Sequence, residues 1–182
     1  MSLKMKRLVL FRISSYIPII TFCILVMSLI SIPAFAQQMN FIGSLSGRSL
    51  APPVSTTATG TAKFNVDPQG NIAYQIDVKN IKGVIGAYIS LQNGTDLAQV
   101  FNPYVEIAGK SEIPTGELNG QLSKGVITAS DLSGPLSGKN VTDLTNLMKN
   151  NSVYIVVRTQ AHENGEIQGV ITPSNSTENQ GI

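Results

Sequence analysis

Apolar and polar residues alternate with a period of two along most of the chain beyond position 56. In TATGTAKFNV (57–66), Ala58, Gly60, Ala62, Phe64 and Val66 share one face, and Thr57, Thr59, Thr61, Lys63 and Asn65 the other. Successive strand side chains point to opposite sides, so this pattern predicts a half-buried strand. DPQG (67–70) follows, with Pro and Gly at the second and fourth positions favoured in a type I turn. NIAYQIDVKN (71–80) alternates again, with Ile72, Tyr74, Ile76 and Val78 on one face. Two such runs around a turn predict an antiparallel hairpin. VIGAYISLQN (84–93) continues the pattern: Ile85, Ala87, Ile89 and Leu91 oppose Val84, Gly86, Tyr88 and Ser90.

Further strands are predicted with less regular signals. One covers Leu97 to Phe101. GELNGQLSKGVIT (116–128) holds one or two strands, with Ser123-Lys124-Gly125 as a turn or bulge. NVTDLTNLMKNN (140–151) changes period: Val141, Leu144, Leu147 and Met148 fall on one helical face. Asn140 suits the cap of this short helix and Asp143 its positive end. SVYIVVRT (152–159) returns to strand, with Val153, Ile155 and Val157 inward, and GEIQGVIT (165–172) closes the series with Ile167, Gly169 and Ile171 inward. Seven to eight short strands and one short helix predict an all-β domain, an antiparallel Greek-key-like β-sandwich or barrel. One sheet face is expected to be wet. The C-terminal PSNSTENQGI (173–182) is polar and expected to be disordered.

The first 36 residues have a different character. Lys4, Lys6, Arg7 and Arg12 precede a long apolar run, and Ala34-Phe35-Ala36 supplies small residues at a cleavage position. This is the layout of a secretory signal, with the mature chain beginning near Gln37. The alternative is an uncleaved anchor, because Ile13 to Ile32 is about long enough to cross a bilayer. In both cases the basic flank stays inside and the β domain (37–172) is expected outside, secreted or tethered at the cell surface.

That division changes the meaning of composition. All 11 acidic residues but only part of the 13 basic ones lie beyond the leader, so the body is slightly acidic. Nucleic acid is therefore not an expected partner. Cys23, the only cysteine, lies in the apolar run, so the body has neither disulfides nor thiol chemistry.

Four stretches carry a family likeness: FIGSLSGRSLAPPVSTTATGTAKFNV, NIAYQIDVKNIKG, GVITASDLSGPLSGKNVTDLTNLMKNNSVYIVVRT and NGEIQGVI. In order and spacing they resemble the CHRD domain, named after chordin and also found as single secreted microbial domains. The likeness covers residues 39–172 and makes the first stretch the opening strand. Family members commonly carry Ala-His-Ile-His where this chain has Ala87-Tyr88-Ile89-Ser90, and His-Thr where it has Arg158-Thr159. An acidic residue is frequent before Pro-Pro-Val, where Leu50-Ala51 stands here. The resemblance implies a binding or structural module. The missing histidines argue against the rival reading, a metal-binding protein or metalloenzyme of the outer surface.

Chemistry-bearing residues are few. His162, the single histidine, lies in QAHENG, where Asn164-Gly165 signals a hairpin turn. An exposed loop role is expected; an oxygen-rich ion site with Glu163 and Glu166 is the alternative. Asp131, Gly134 and Gly138 read as turn residues. Glu166 reads as a closing-strand residue or a general acid. No catalytic residue, metal site or cofactor is assigned. The candidate contact face is Tyr88 and Ser90, joined by Arg158 if its strand lies alongside, with an unspecified protein, a surface polymer or a second copy of the chain as partner. Carbohydrate recognition favours exposed aromatics, yet there is no Trp and only Tyr88 is placed on that face. Asn93, Asn140, Asn150 and Asn175 head N-x-S/T sequons, with Asn93 and Asn175 the better placed for glycosylation.

Overall fold

The computed structural model describes residues 38–103, 106–107, 110–111 and 116–174. The strands are β1 (Met39–Ser46), β2 (Thr59–Val66), β3 (Ile72–Lys82), β4 (Val84–Leu91), β5 (Asp96–Phe101), β6 (Glu106–Ile107), β7 (Lys110–Ser111), β8 (Glu117–Ile127), β9 (Val153–Thr159), β10 (Ile167–Val170) and β11 (Thr172–Ser174). The helix α1 (Val141–Lys149) lies between β8 and β9. The main sheet runs β5-β4-β9-β10-β1-β2-β3-β8, with β11 also pairing to β1. Each strand pairing is antiparallel. The sheet curls into a nearly closed barrel, with β5 and β8 facing one another at the seam. β6 and β7 form a separate small pair.

The hairpin predicted around DPQG is β2–β3. Its turn closes with the Gly70 N–H donating to the Asp67 carbonyl at 3.0 Å. Pairing in register places Phe41, Phe64 and Tyr74 in one inward row across β1, β2 and β3. Phe41 and Phe64 are buried, while Tyr74 ends the row half-buried at the seam. Opposite it on β8 stands Gly125. A Cβ there would sit 2.9 Å from the Tyr74 hydroxyl, so the missing side chain is the space the tyrosine occupies. The expected turn or bulge at Ser123-Lys124-Gly125 is therefore corrected. Those residues pair regularly with β3, and the ladder slips at Leu122 instead. Residues 117–127 form one strand.

β3 and β4 are separated only by Gly83, yet they are not neighbours in the sheet. The chain turns this corner with Gly83 at φ +60°, a conformation that glycine adopts without a Cβ clash. β4 then pairs with β5 and β9. Ala87 and Ile89 meet Val153, Ile155 and Val157 in the core, all 0 % exposed. The wet outer face expected for β4 is corrected: Val84 and Ser90 on β4 and Val156 on β9 are buried as well.

α1 covers part of the core with Leu144 and Met148, both 0 % exposed. Asn140 occupies the cap position, and its N–H donates to the Asp143 carboxylate at 3.3 Å. The helix face read from the period is thus the buried one. The last strand extends further than expected: Pro173 and Ser174, assigned to a disordered tail, pair with Phe41 and Asn40. Asn175 and the rest of that tail, like residues 1–37 with Cys23 and the Ile13–Ile32 run, lie outside the described residues. Among the described residues no helix is long and apolar enough to cross a membrane.

Candidate functional site

The seam is the place where the ladder stops. β5 presents an edge that β8 does not pair with, and other groups satisfy it. The Ser133 N–H donates to the Leu97 carbonyl at 2.7 Å, and Leu132 forms a single bridge with Ala98. Further along, the hydroxyls of Tyr74 and Ser123 donate to the Val100 carbonyl at 2.8 and 2.6 Å. Side chains from β3 and β8 thus replace the missing backbone bonds at this point, as buried carbonyls require a donor. A cleft of about 720 Å³ follows the seam. Tyr74 and Ser123 line one margin, Tyr88, Asp96, Gln99 and Phe101 the other, and the 130–133 loop a third.

Behind the β5 margin lies a polar cluster. Gly86 pairs with Arg158, which brings β9 alongside β4 and puts Arg158 beside Tyr88. The guanidinium carbon lies 4.4 Å from the Tyr88 ring centroid, a cation–π contact. The same guanidinium grips Asp96 with both terminal nitrogens, at 2.9 and 2.8 Å. The Ser90 hydroxyl donates to Asp96 Oδ1 at 2.7 Å. Gln99 Nε2 donates to the Tyr88 hydroxyl at 3.1 Å. A Cβ on Gly86 would meet the Tyr88 ring at 2.6 Å, so glycine makes room for a tyrosine here as on β8. The Arg158 Nε–H is buried without an acceptor, the one unsatisfied group of this kind among the described residues.

Tyr88, Ser90 and Arg158, chosen from the sequence as a contact face, do come together. Ser90 does not belong on the surface, however: it is 1 % exposed and supports Asp96 from beneath. It is buried because Asp96, on the neighbouring strand, lies across it. Asp96 itself was missed. A local signal existed: Asp96 is the only charged residue between Lys82 and Glu106, and Arg158 the only one between Lys149 and Glu163, histidine aside. Lone opposite charges on largely apolar strands seek one another, because an unpaired charge at such depth is costly.

Glu166 belongs to a second, closed arrangement. Its carboxylate accepts the Thr56 hydroxyl at 2.7 Å and the Thr159 hydroxyl at 2.8 Å. It is 9 % exposed, and Thr159 is 0 % exposed. His162 sits in the β9–β10 turn, where its carbonyl accepts the Gly165 N–H at 3.0 Å. Glu163 is exposed, and Glu166 turns inward instead. Among the described residues no three His, Cys, Asp or Glu side chains converge as a metal site, so the ion site considered with His162, Glu163 and Glu166 is not assembled. Asp131 caps its own loop, accepting the Thr128 N–H at 2.7 Å, while also lining the cleft. Gly134 and Gly138 adopt positive φ in turns.

Of the sequon asparagines, Asn93, Asn140 and Asn150 are exposed. The Asn93 side-chain Oδ1 accepts the Thr95 N–H at 3.1 Å, and Asn140 and Asn150 bracket α1. Asn175 lies outside the described residues.

A nearly closed antiparallel barrel with a polar seam and a helix before its penultimate long strand defines a small β module. The CHRD domain profile matches residues 41–171, which is most of the chain, and the protein belongs to the CHRD domain family. No curated protein matches it, and no solved structure does.

Proposed function

We propose that this CHRD-type module is exported and acts without catalysis, by binding a partner at the outer surface of the cell. Export is supported by the basic and apolar leader ending in Ala34-Phe35-Ala36. The observation that carries the binding role is the seam cleft, with the Tyr88–Arg158–Asp96 cluster built behind one wall. A shaped cleft whose walls are fixed in advance loses less freedom on binding.

Catalysis fits the same groups poorly. Asp96 is engaged by the Arg158 fork and by Ser90, and the Tyr74 hydroxyl donates to Val100. A general acid or base must be free to exchange a proton with a substrate.

Two measurements test this reading. Intact mass of the protein in the medium, wall and membrane fractions of its producer is expected to show a start at Gln37, with added mass at Asn93 if the sequon is used. A full-length chain in the membrane fraction would make Ile13–Ile32 an anchor; a cytosolic chain would sink the proposal. Second, the purified protein is expected to bind the producer's cell-surface material, and Tyr88→Ala to weaken that binding without loss of the β-sheet signal. Undiminished binding by that variant would move the contact surface away from the cleft.

A further inference from the structure

We infer that the ligand class taken by the seam cleft is a neutral oligosaccharide, an assignment that rests on the cleft being the contact site. Tyr74, Tyr88 and Phe101 line the cleft from three strands, although only Tyr88 was legible as an exposed aromatic in the sequence. Aromatic rings offer flat apolar faces that match the C–H faces of pyranose rings. Between them stand Gln99, Asp96, Asp131 and the hydroxyls of Ser123, Ser130 and Ser133. Such a mixture suits a ligand that carries many hydroxyls around an apolar frame.

Charge narrows the class. Among the described residues no Lys or Arg lines the cleft, whereas two carboxylates do. Arg158 sits against Tyr88 and is committed to Asp96. A phosphate, sulfate or uronate would face carboxylates without a free cation, so acidic polymers are disfavoured. Asp96 is largely offset by its fork, which leaves the Asp131 carboxylate to turn anions away, and the cleft offers acceptors to sugar hydroxyls.

The edge chemistry disfavours the other common mode. An extended peptide binds an open sheet edge through backbone hydrogen bonds. Here the carbonyls of Leu97 and Val100 on β5 already hold Ser133, Tyr74 and Ser123. Recognition in the cleft must therefore run through side chains. The volume falls within the roughly 300–1,000 Å³ of ordinary small-ligand sites. The tyrosines are also pre-set, each lying over a glycine, Gly125 or Gly86, with its hydroxyl bonded.

The test is titration of the protein, followed by NMR or calorimetry, with neutral, amino-sugar, uronate and sulfated oligosaccharides. The body from Gln37 to Ile182 serves as the sample, since among the described residues the core runs from Phe41 to Ile171. Binding is expected for neutral sugars, and about tenfold weaker for Tyr88→Ala, the scale of one aromatic contact. Gln99→Ala, at an exposed position, is expected to weaken the same sugars while leaving the melt unchanged. If Tyr88→Ala fails to fold, Gln99→Ala decides alone. Binding confined to acidic glycans, binding indifferent to Gln99→Ala, or no binding to any glycan overturns the inference. Cell-surface binding that needs the cleft but survives periodate and fails after protease would overturn the sugar while leaving the contact reading standing.

Discussion

Glu166 and Asp96 are both acidic residues set into the same barrel, and they are satisfied in opposite ways. Glu166 is enclosed and held by two neutral hydroxyls, from Thr56 and Thr159. Asp96 is held by a guanidinium fork and one serine, with 31 % of its side chain still exposed. The first arrangement joins the loop before β2 to the β9–β10 hairpin, with Glu166 and Thr159 buried. The second stands at a cleft. A buried carboxylate without a cation is stable only while each hydroxyl stays in place, so Glu166 reads as a structural tie. A paired carboxylate at a rim can remain fixed and still meet a ligand.

The largest expected effect breaks the closed arrangement. Glu166→Ala leaves the Thr56 and Thr159 hydroxyls without their acceptor and opens a void, for a loss of about 3 kcal/mol. Glu166→Gln keeps an acceptor for one threonine and is expected to recover about half of that. Urea unfolding checks both. An alanine variant as stable as the parent would mean that the cost of burying the carboxylate cancels its bonds, and the two sites would then differ less than their geometry implies.

The open arrangement should yield a smaller loss. Arg158→Ala removes the fork and the ring contact, but Asp96 keeps Ser90 and reaches water. About 2 kcal/mol is expected, below the range for a fully buried pair because solvent screens this one. Arg158→Lys should recover little, since an ammonium supplies neither the two parallel bonds nor the flat face over Tyr88. Thermal melts of both variants give the answer, and a lysine variant equal to the parent would reduce the cluster to simple charge pairing.

Gly86→Ala and Gly125→Ala probe how the two tyrosines are seated. Each adds a Cβ within 2.6 and 2.9 Å of a tyrosine ring or hydroxyl, respectively. Overpacking of this kind costs about 1–2 kcal/mol. Gly125→Ala should in addition pull Tyr74 off the Val100 carbonyl, seen as faster amide exchange along β5 and β8. If exchange is unchanged, the seam is not held by that hydroxyl.

The barrel was largely legible because its strands bury one face. Phe64, Ile72, Ile76, Val153 and Ile155 fall where period two puts them, and Leu144 and Met148 where a helical period does. The errors share a cause. Ser90 looked exposed because its residue type is polar, and Gly125 looked like a turn because glycine usually signals one. Both choices were settled by a side chain from elsewhere, Asp96 across the strand pair and Tyr74 across the sheet. Asp96 and Arg158 are 62 positions apart, so no local pattern joins them. The family likeness marked positions 88, 90 and 158, which do converge, but could not say what replaces histidines there. The cleft was out of reach for the same reason: Tyr74 and Phe101 become its lining only after the barrel curls.

A third carboxylate extends the comparison to the surface and gives the smallest effect. Asp67 opens the β2–β3 turn, and the Asn71 side chain donates to it at 2.9 Å. That bond, chiefly, together with the backbone N–H groups of Asn71, Gln69 and Gly70, holds its carboxyl below the ordinary value of 3.8. A depressed folded-state value means that the folded form prefers the ionised carboxyl more than the unfolded chain does. The stabilisation is therefore complete above the ordinary carboxylate range and is lost as pH falls through the lowered value. Asp67→Ala should trail the parent by a small constant margin near neutrality, with the gap closing in acid. Glu166→Ala provides the contrast at neutral pH, where its deficit should be far larger. Parallel melts across pH would show both, and an Asp67→Ala gap that widens in acid would reverse the sign of the argument and unseat the turn's hydrogen bonds as its cause.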